Sequence, residues 1–249
     1  MTKFIQGKVV EQRRWTERLL SLKVEAGPIA FEAGQFTKLA LPVHAEGEML
    51  ARAYSFVNAP QERPYEFYYN IVPEGPLTRR LAGLEAGDAV WLAPRAAGFL
   101  VLSEVPDAEN LWLLATGTGI APFLSILKSE AAWRRYPRIV LVEAVRHAGE
   151  LAYREEIARL KREHEGRLVT VVFVSREQAP GALAGRIPQA ILDGRLEAAA
   201  GAALSVAASQ VMICGNPAMV TDSVHALAQR GMKKHRRRSP GHITVENYW

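Results

Sequence analysis

Leu111-Trp112-Leu113-Leu114-Ala115-Thr116-Gly117-Thr118-Gly119-Ile120-Ala121-Pro122 runs from an unbroken apolar segment through a glycine turn into the start of a helix. Residues 111–115 leave no face for water, so they read as a strand covered on both sides, the condition of a parallel sheet. Gly117 and Gly119 let the backbone approach a phosphate closely at the N-terminus of the following helix. Pro122 occupies the place of a third glycine, a departure from the usual dinucleotide fingerprint. Alone, such a turn is either a phosphate cradle or merely a tight connection.

The same alternation continues downstream. Apolar strands are expected at 139–145, 168–174 and 211–214, and helices at 120–135, 150–164, 187–200 and 217–230, the third of them irregular. Strand-helix alternation implies right-handed crossovers and ligand binding at the carboxyl edge of the sheet. The last helix is the best specified: Asn216 can cap it, Pro217 takes the first helical position and Gly231 follows as a stop. At the edge itself, the strand ending at Val174 leads into Ser175-Arg176-Glu177. A hydroxyl and a guanidinium there suit a phosphate on the 2' position of an adenosine ribose, whereas a carboxylate would favour the bare hydroxyl. The reading is NADPH rather than NADH.

Upstream the pattern differs. Short β-rich segments at 7–12, 19–24, 37–41, 52–57, 66–72 and 89–92 are separated by turn residues such as Gly27-Pro28, Pro60, Pro64 and Gly87-Asp88. Six such strands suit a small antiparallel barrel. The polar stretch 104–110, with Pro106, marks the change, so the expected domains are 1–103 and 104–249. Within the barrel, Arg52-Ala53-Tyr54-Ser55 combines a cation, an aromatic face and a hydroxyl, with Arg52 and Tyr54 on one side of the strand. It is read either as a flavin site or as an ordinary amphipathic strand.

Composition narrows the function classes. A chain of 249 residues, 49% hydrophobic and 23% charged, is long enough to bury a sizeable core and has the balance of a folded globular protein. Cys214 is the single cysteine, which rules out an internal disulfide and an iron-sulfur cluster, and the six scattered histidines suggest no metal site. No export signal or membrane-spanning segment is apparent, so the expected location is the cytoplasm. Much of the net charge of +5 lies in Lys233-Lys234-His235-Arg236-Arg237-Arg238. That run is a solvated face, a dock for an acidic protein or, least in keeping with its lack of aromatics, a nucleic-acid site.

Five motifs occur in one order: Arg52-Ala53-Tyr54-Ser55, Gly75-Pro76-Leu77-Thr78-Arg79-Arg80-Leu81, Gly117-Thr118-Gly119-Ile120-Ala121-Pro122, Val174-Ser175-Arg176-Glu177-Gln178 and Cys214-Gly215-Asn216-Pro217. In this order they resemble the ferredoxin-NADP reductase family across essentially the whole chain. The compact form and the ending Val245-Glu246-Asn247-Tyr248-Trp249 are similar to the bacterial ferredoxin (flavodoxin)-NADP reductases.

The resemblance implies an FAD-binding antiparallel β-barrel followed by an NADP-binding α/β domain with a parallel sheet, its C-terminal tail returning to the flavin. Arg52 is placed on the FAD pyrophosphate with Ala53 beside it, Tyr54 against the isoalloxazine and the Ser55 hydroxyl near N5. Tyr69, Asn70, Ile71 and Val72 run beside the flavin, while Pro76, Leu77 and Thr78 bring a helix start to the pyrophosphate. Thr118 falls between flavin and nicotinamide, Ser175 and Arg176 on the 2'-phosphate with Arg146 and Arg186 as further cations, and Gly215 and Asn216 along the nucleotide. Cys214 and Glu246 match the residues near the nicotinamide C4, although a small buried residue at a strand end is the plain alternative for Cys214. Tyr248 would cover the flavin, and the extra Trp249 stack on the adenine of a folded-back FAD or on the isoalloxazine.

The activity implied is electron exchange between NADPH and ferredoxin or flavodoxin by a monomer, with Arg13, Arg14, Arg79, Arg80 and the 233–238 run steering the carrier. The competing readings are a separate-chain NAD(P)H reductase serving an oxygenase and, remotely, a nonenzymatic nucleic-acid-binding protein.

Overall fold

The computed structural model describes residues 4–43 and 48–247. Strands β1 (Ile5–Arg14), β2 (Leu19–Glu25), β3 (Phe36–Pro42), β4 (Met49–Ser55), β5 (Tyr65–Asn70) and β6 (Ala89–Leu92) form an antiparallel sheet in the order β4-β3-β6-β1-β2-β5. Its outer strands meet: Phe56, just past β4, bridges Phe67 of β5, and Val57 N donates to Glu66 O at 2.9 Å. Closure removes the exposed edges and encloses Leu20, Leu22, Leu39, Phe56, Tyr65, Phe67 and Leu92. All six expected strands are present, but β4 starts earlier than residue 52 and β5 stops at Asn70, so Ile71 and Val72 lie in the following loop.

Strands β7 (Asn110–Thr116), β8 (Arg138–Val145), β9 (Leu168–Val174), β10 (Leu183–Ala184), β11 (Ser209–Gly215) and β12 (Ile243–Asn247) form a second sheet, ordered β10-β9-β8-β7-β11-β12 and parallel throughout. The four apolar runs are its central strands. The two edge strands give no such run: β10 has two residues, and Ile-Thr-Val-Glu-Asn of β12 mixes polar with apolar side chains because only one neighbour covers it. From β7 the chain steps through β8 and β9 on one side and β11 on the other, so the order reverses between β7 and β11 and a crevice opens at their carboxyl ends.

The helices are α1 (Pro76–Leu81), α2 (Ala121–Leu127), α3 (Glu130–Arg135), α4 (Arg154–Glu163), α5 (Ile187–Leu192), α6 (Arg195–Ala200) and α7 (Pro217–Ala228). Three expectations need correction. The segment 120–135 is two helices, because Ser129 is extended and its hydroxyl donates to Ile126 O at 2.7 Å, a side-chain bond that competes with helix continuation. The segment 187–200 is likewise two, parted by Gly194 in the left-handed region. The helix expected from residue 150 starts at Arg154, after a 3-10 turn at Ala148–Glu150 and the left-handed Tyr153.

Tyr153 also shows how the halves join. Its buried ring packs on Trp15 at 4.7 Å and edge-on to Tyr68 at 5.3 Å, and its hydroxyl donates to Glu66 Oε1 at 2.7 Å. Nearby, Ser125 Oγ donates to Asn58 O at 2.8 Å. One apolar cluster crosses the seam, combining Leu19, Val57 and Tyr68 of the barrel with Leu113, Ile120 and Phe123 of the second half.

Candidate functional site

A cavity of about 570 Å³ occupies the carboxyl edge of the parallel sheet, where it faces the barrel. Thr116, Gly117, Thr118, Arg146, Ser175, Arg176, Arg186, Gly215 and Asn216 line one wall; Thr16, Arg18, Leu19 and Asn70 come from the barrel. Close backbone approach at the switch point builds this edge. Gly215 has φ +136°, and a Cβ there would run into Thr116, whose Oγ1 instead accepts from Asn216 N at 2.9 Å. Asn216 then caps α7, as its sequence position suggested, accepting from Ala218 N at 2.9 Å and Met219 N at 3.3 Å.

The basic side of the cavity has its acids already occupied. Glu150 Oε2 accepts from Arg146 N at 2.8 Å and His147 N at 3.2 Å. Glu177 accepts from Ala148 N at 2.6 Å and lies 3.3 Å from the His147 ring; that amide, then the imidazole, hold its carboxyl below the usual range. Ser175 N and Arg176 N donate to Val145 O and Arg146 O at 3.1 and 3.0 Å, which fixes the loop beyond β9. The exposed guanidiniums of Arg146, Arg176 and Arg186 therefore have no carboxylate partner among the described residues. Such a set fits phosphate oxygens.

On the barrel, Arg52 is exposed and donates to Ala51 O at 2.8 Å, Ala53 is exposed beside it, and Tyr54 stands edge-on to Tyr69 with centroids 6.0 Å apart. Burial raises both phenols above their ordinary range. Thr78 Oγ1 accepts from Val72 N at 3.0 Å, holding α1, with Pro76 first and Leu77 buried, against the loop after β5. Residues 52–55, 69–72 and 76–78 thus converge from three elements on one end of the barrel.

Strand register brings Cys214 and Glu246 together in the second sheet, while Ser55 belongs to the barrel sheet. Cys214 is buried and pairs with Ala115 on one side and Glu246 on the other. Gly98, at φ +117°, leaves room for Glu246: a Cβ there would stand 3.1 Å from Glu246 Oε2 and 3.2 Å from the Phe36 ring. Phe36 in turn pairs with the buried Ser55. Glu246 Oε1 is buried with no hydrogen-bond partner among the described residues, and burial pushes the carboxyl up from 4.5 to about 7. A buried acceptor lacking a donor fits a bound group that brings an N–H, as a flavin edge or a nicotinamide carboxamide does. Tyr248 and Trp249 lie outside the described residues.

Thr16 and Arg18 were not foreseen, because nothing in a hairpin loop announces the cavity its side chains will face. Nor was Glu143, buried on β8 and pushed up to about 8 by desolvation, against a lesser pull from Arg154. Among the described residues no helix is long and apolar enough to cross a membrane.

A closed antiparallel barrel set against a parallel sheet, with a cation-lined crevice between them, is the ferredoxin reductase-like fold, the architecture of a two-part oxidoreductase. Residues 113–225 match the oxidoreductase NAD-binding domain family. A flavodoxin/ferredoxin-NADP reductase of Escherichia coli (strain K12) is 48% identical over 250 residues, covering the whole of both chains. A ferredoxin-NADP reductase of Pseudomonas aeruginosa is 33% identical, covering 99% of this chain and 98% of the relative. Among solved structures, a ferredoxin NADP+ reductase from Neisseria gonorrhoeae with bound FAD and NADP superposes with a TM-score of 0.93 at 31% identity, each chain fully covered. The chain belongs to the flavodoxin/ferredoxin-NADP reductase family.

Proposed function

We propose that this chain exchanges electrons between NADPH and a one-electron carrier protein, ferredoxin or flavodoxin, using FAD. The observation that carries the reading is the cavity itself: Arg146, Ser175, Arg176 and Arg186 gather at the carboxyl edge of a parallel sheet and face Thr16, Arg18, Leu19 and Asn70 of the barrel. FAD, when bound, accepts two electrons from a nicotinamide and releases them one at a time.

The protein's part is binding and alignment. Residues 1–103 hold FAD: Arg52, with Ala53 beside it and Pro76, Leu77 and Thr78 opposite, takes the pyrophosphate. Tyr54 offers its ring to the isoalloxazine, Tyr69, Asn70, Ile71 and Val72 flank it, and the Ser55 hydroxyl addresses N5. Residues 104–249 hold NADP(H). Ser175 and Arg176 recognise the 2'-phosphate, Arg146 and Arg186 add positive charge, and Thr118, Gly215 and Asn216 guide the nucleotide toward the flavin. Cys214 closes the back of the nicotinamide pocket and Glu246 accepts a hydrogen bond from the ligand that enters it. Both align reactants, and neither need become covalently modified. Tyr248 and Trp249 complete the cover over FAD.

The carrier is acidic and is drawn to exposed Arg79, Arg236 and Arg238, whereas Arg237 is already held by Glu104 with contacts of 2.6–3.1 Å. The enzyme works as a monomer, in the cytoplasm and without nucleic acid. The test is the visible spectrum under anaerobic conditions. Flavin bands should bleach with stoichiometric NADPH and barely with NADH; a protein that takes up no FAD would overturn the reading, and equal bleaching by both nucleotides would overturn its 2'-phosphate part.

A further inference from the structure

The cavity has a fourth cation, and it comes from the barrel. Arg18 lies in the loop between β1 and β2 and lines the cavity with Arg146, Arg176 and Arg186, which belong to the second half of the chain. The loop is firmly held. Thr16 Oγ1 accepts from Arg18 N at 3.2 Å and Leu19 N at 3.1 Å, Trp15 N donates to Leu19 O at 2.8 Å, and the Arg18 carbonyl accepts from Ile71 N at 2.7 Å. Trp15 is fixed in turn: the Arg13 guanidinium stands 3.8 Å from its ring centre, the Tyr153 ring 4.7 Å away, and its Nε1 donates to Ser21 Oγ at 3.2 Å. Backbone so fastened sets Arg18 at the cavity wall and leaves only its side chain to be ordered on binding.

Charge and position together define what Arg18 meets. Among the described residues its guanidinium has no ion-pair or hydrogen-bond partner. Of the two acids in the lining, Glu150 is engaged by the Arg146 and His147 amides and Asp222 belongs to α7 on the far wall. Four guanidiniums around one space call for a ligand with more than one anionic group. NADPH has two such groups, the 2'-phosphate and the diphosphate bridge. Ser175 and Arg176, beyond β9, account for the first. Arg18 stands on the barrel wall next to Leu19, which pairs with Asn70, on the opposite side of the cavity from Ser175 and Arg176.

We propose that Arg18 grips the diphosphate bridge of the nicotinamide nucleotide from the barrel side, a positioning residue that fastens the nucleotide to both halves of the molecule. The inference rests on the NADPH reading above, and the test keeps the two apart. The diphosphate is common to NADPH and NADH, whereas the 2'-phosphate is not. In the flavin-loaded enzyme, Arg18→Ala should raise KM for both nucleotides by the same factor, about tenfold, with the change falling on KM rather than kcat. Arg176→Ala should raise KM for NADPH alone. Calorimetric titration with NADP+ should show the same weakening in Arg18→Ala, and Arg18→Lys should recover part of it. Unchanged KM values in Arg18→Ala, or a loss confined to NADPH, would overturn the role given to Arg18. If Arg176→Ala left the preference for NADPH intact, the NADPH reading of the cavity would fall instead.

Discussion

Glu246 joins the chemistry of the site to the stability of the fold. Its carboxyl is raised from 4.5 to about 7 by burial alone, so folding favours the protonated acid. The sign follows directly: the contribution to stability is full below about pH 4.5 and is lost as pH rises through about 7. Glu246→Gln keeps the shape and has no proton to lose. Thermal denaturation of the two proteins should therefore diverge between about pH 5 and 8, the variant gaining on the parent as pH rises. Melting temperatures that stay parallel over that range would mean that the carboxylate is solvated in the native state. The same titration would bear on turnover if the proposed nicotinamide pocket holds, because an acid poised near neutrality there can keep a proton at working pH. Glu143, raised to about 8, follows the same sign over a higher range, and the difference between variant and parent isolates the Glu246 share.

At the scale of elements, the parts visible in the sequence are those written locally. The runs at 111–115, 139–145 and 168–174 declare central strands because both of their faces are covered, and Asn216-Pro217 declares a helix start because cap and first turn are neighbours in the chain. Ser175 and Arg176 were legible for the same reason, standing at the end of such a run. What was hidden depends on distant packing. Helix α4 starts late because Tyr153 leaves the helical region, at φ 56°, to place its ring against Trp15 and Tyr68. A non-glycine residue held there is costly, and the surroundings have to supply the compensation. The hydrogen bond from Tyr153 to Glu66 Oε1 at 2.7 Å is part of it. Tyr153→Phe retains the ring and removes the donor, so it should cost about 1–3 kcal/mol in urea denaturation. A loss below about 0.5 kcal/mol would leave ring packing alone as the compensation. Arg18 was illegible on the same grounds: its loop is held by distant contacts, Ile71 N to its carbonyl and Tyr153 against Trp15 among them.

The whole molecule is two sheets that share one apolar cluster across their seam. Leu19, Val57 and Tyr68 of the barrel share an apolar cluster with Leu113, Ile120, Phe123 and Leu141, so separating the halves would expose surface that each now covers for the other. Polar ties lie alongside, from Ser125 to Asn58 and from Tyr153 to Glu66. The proposed grip of both walls on the nucleotide would add to that coupling. Unfolding should therefore be a single cooperative event despite two sheets of distinct pattern. Far-UV circular dichroism and tryptophan fluorescence should trace coincident urea transitions, the fluorescence reporting Trp15 on the barrel together with Trp112 inside the second sheet. Saturating FAD, which binds only the native state, should move both curves by the same amount. Two separated transitions, with FAD shifting only the earlier or only the later one, would mean that the shared cluster contributes too little to unite the halves, and that the grip of Arg18 on the nucleotide acts across a hinge.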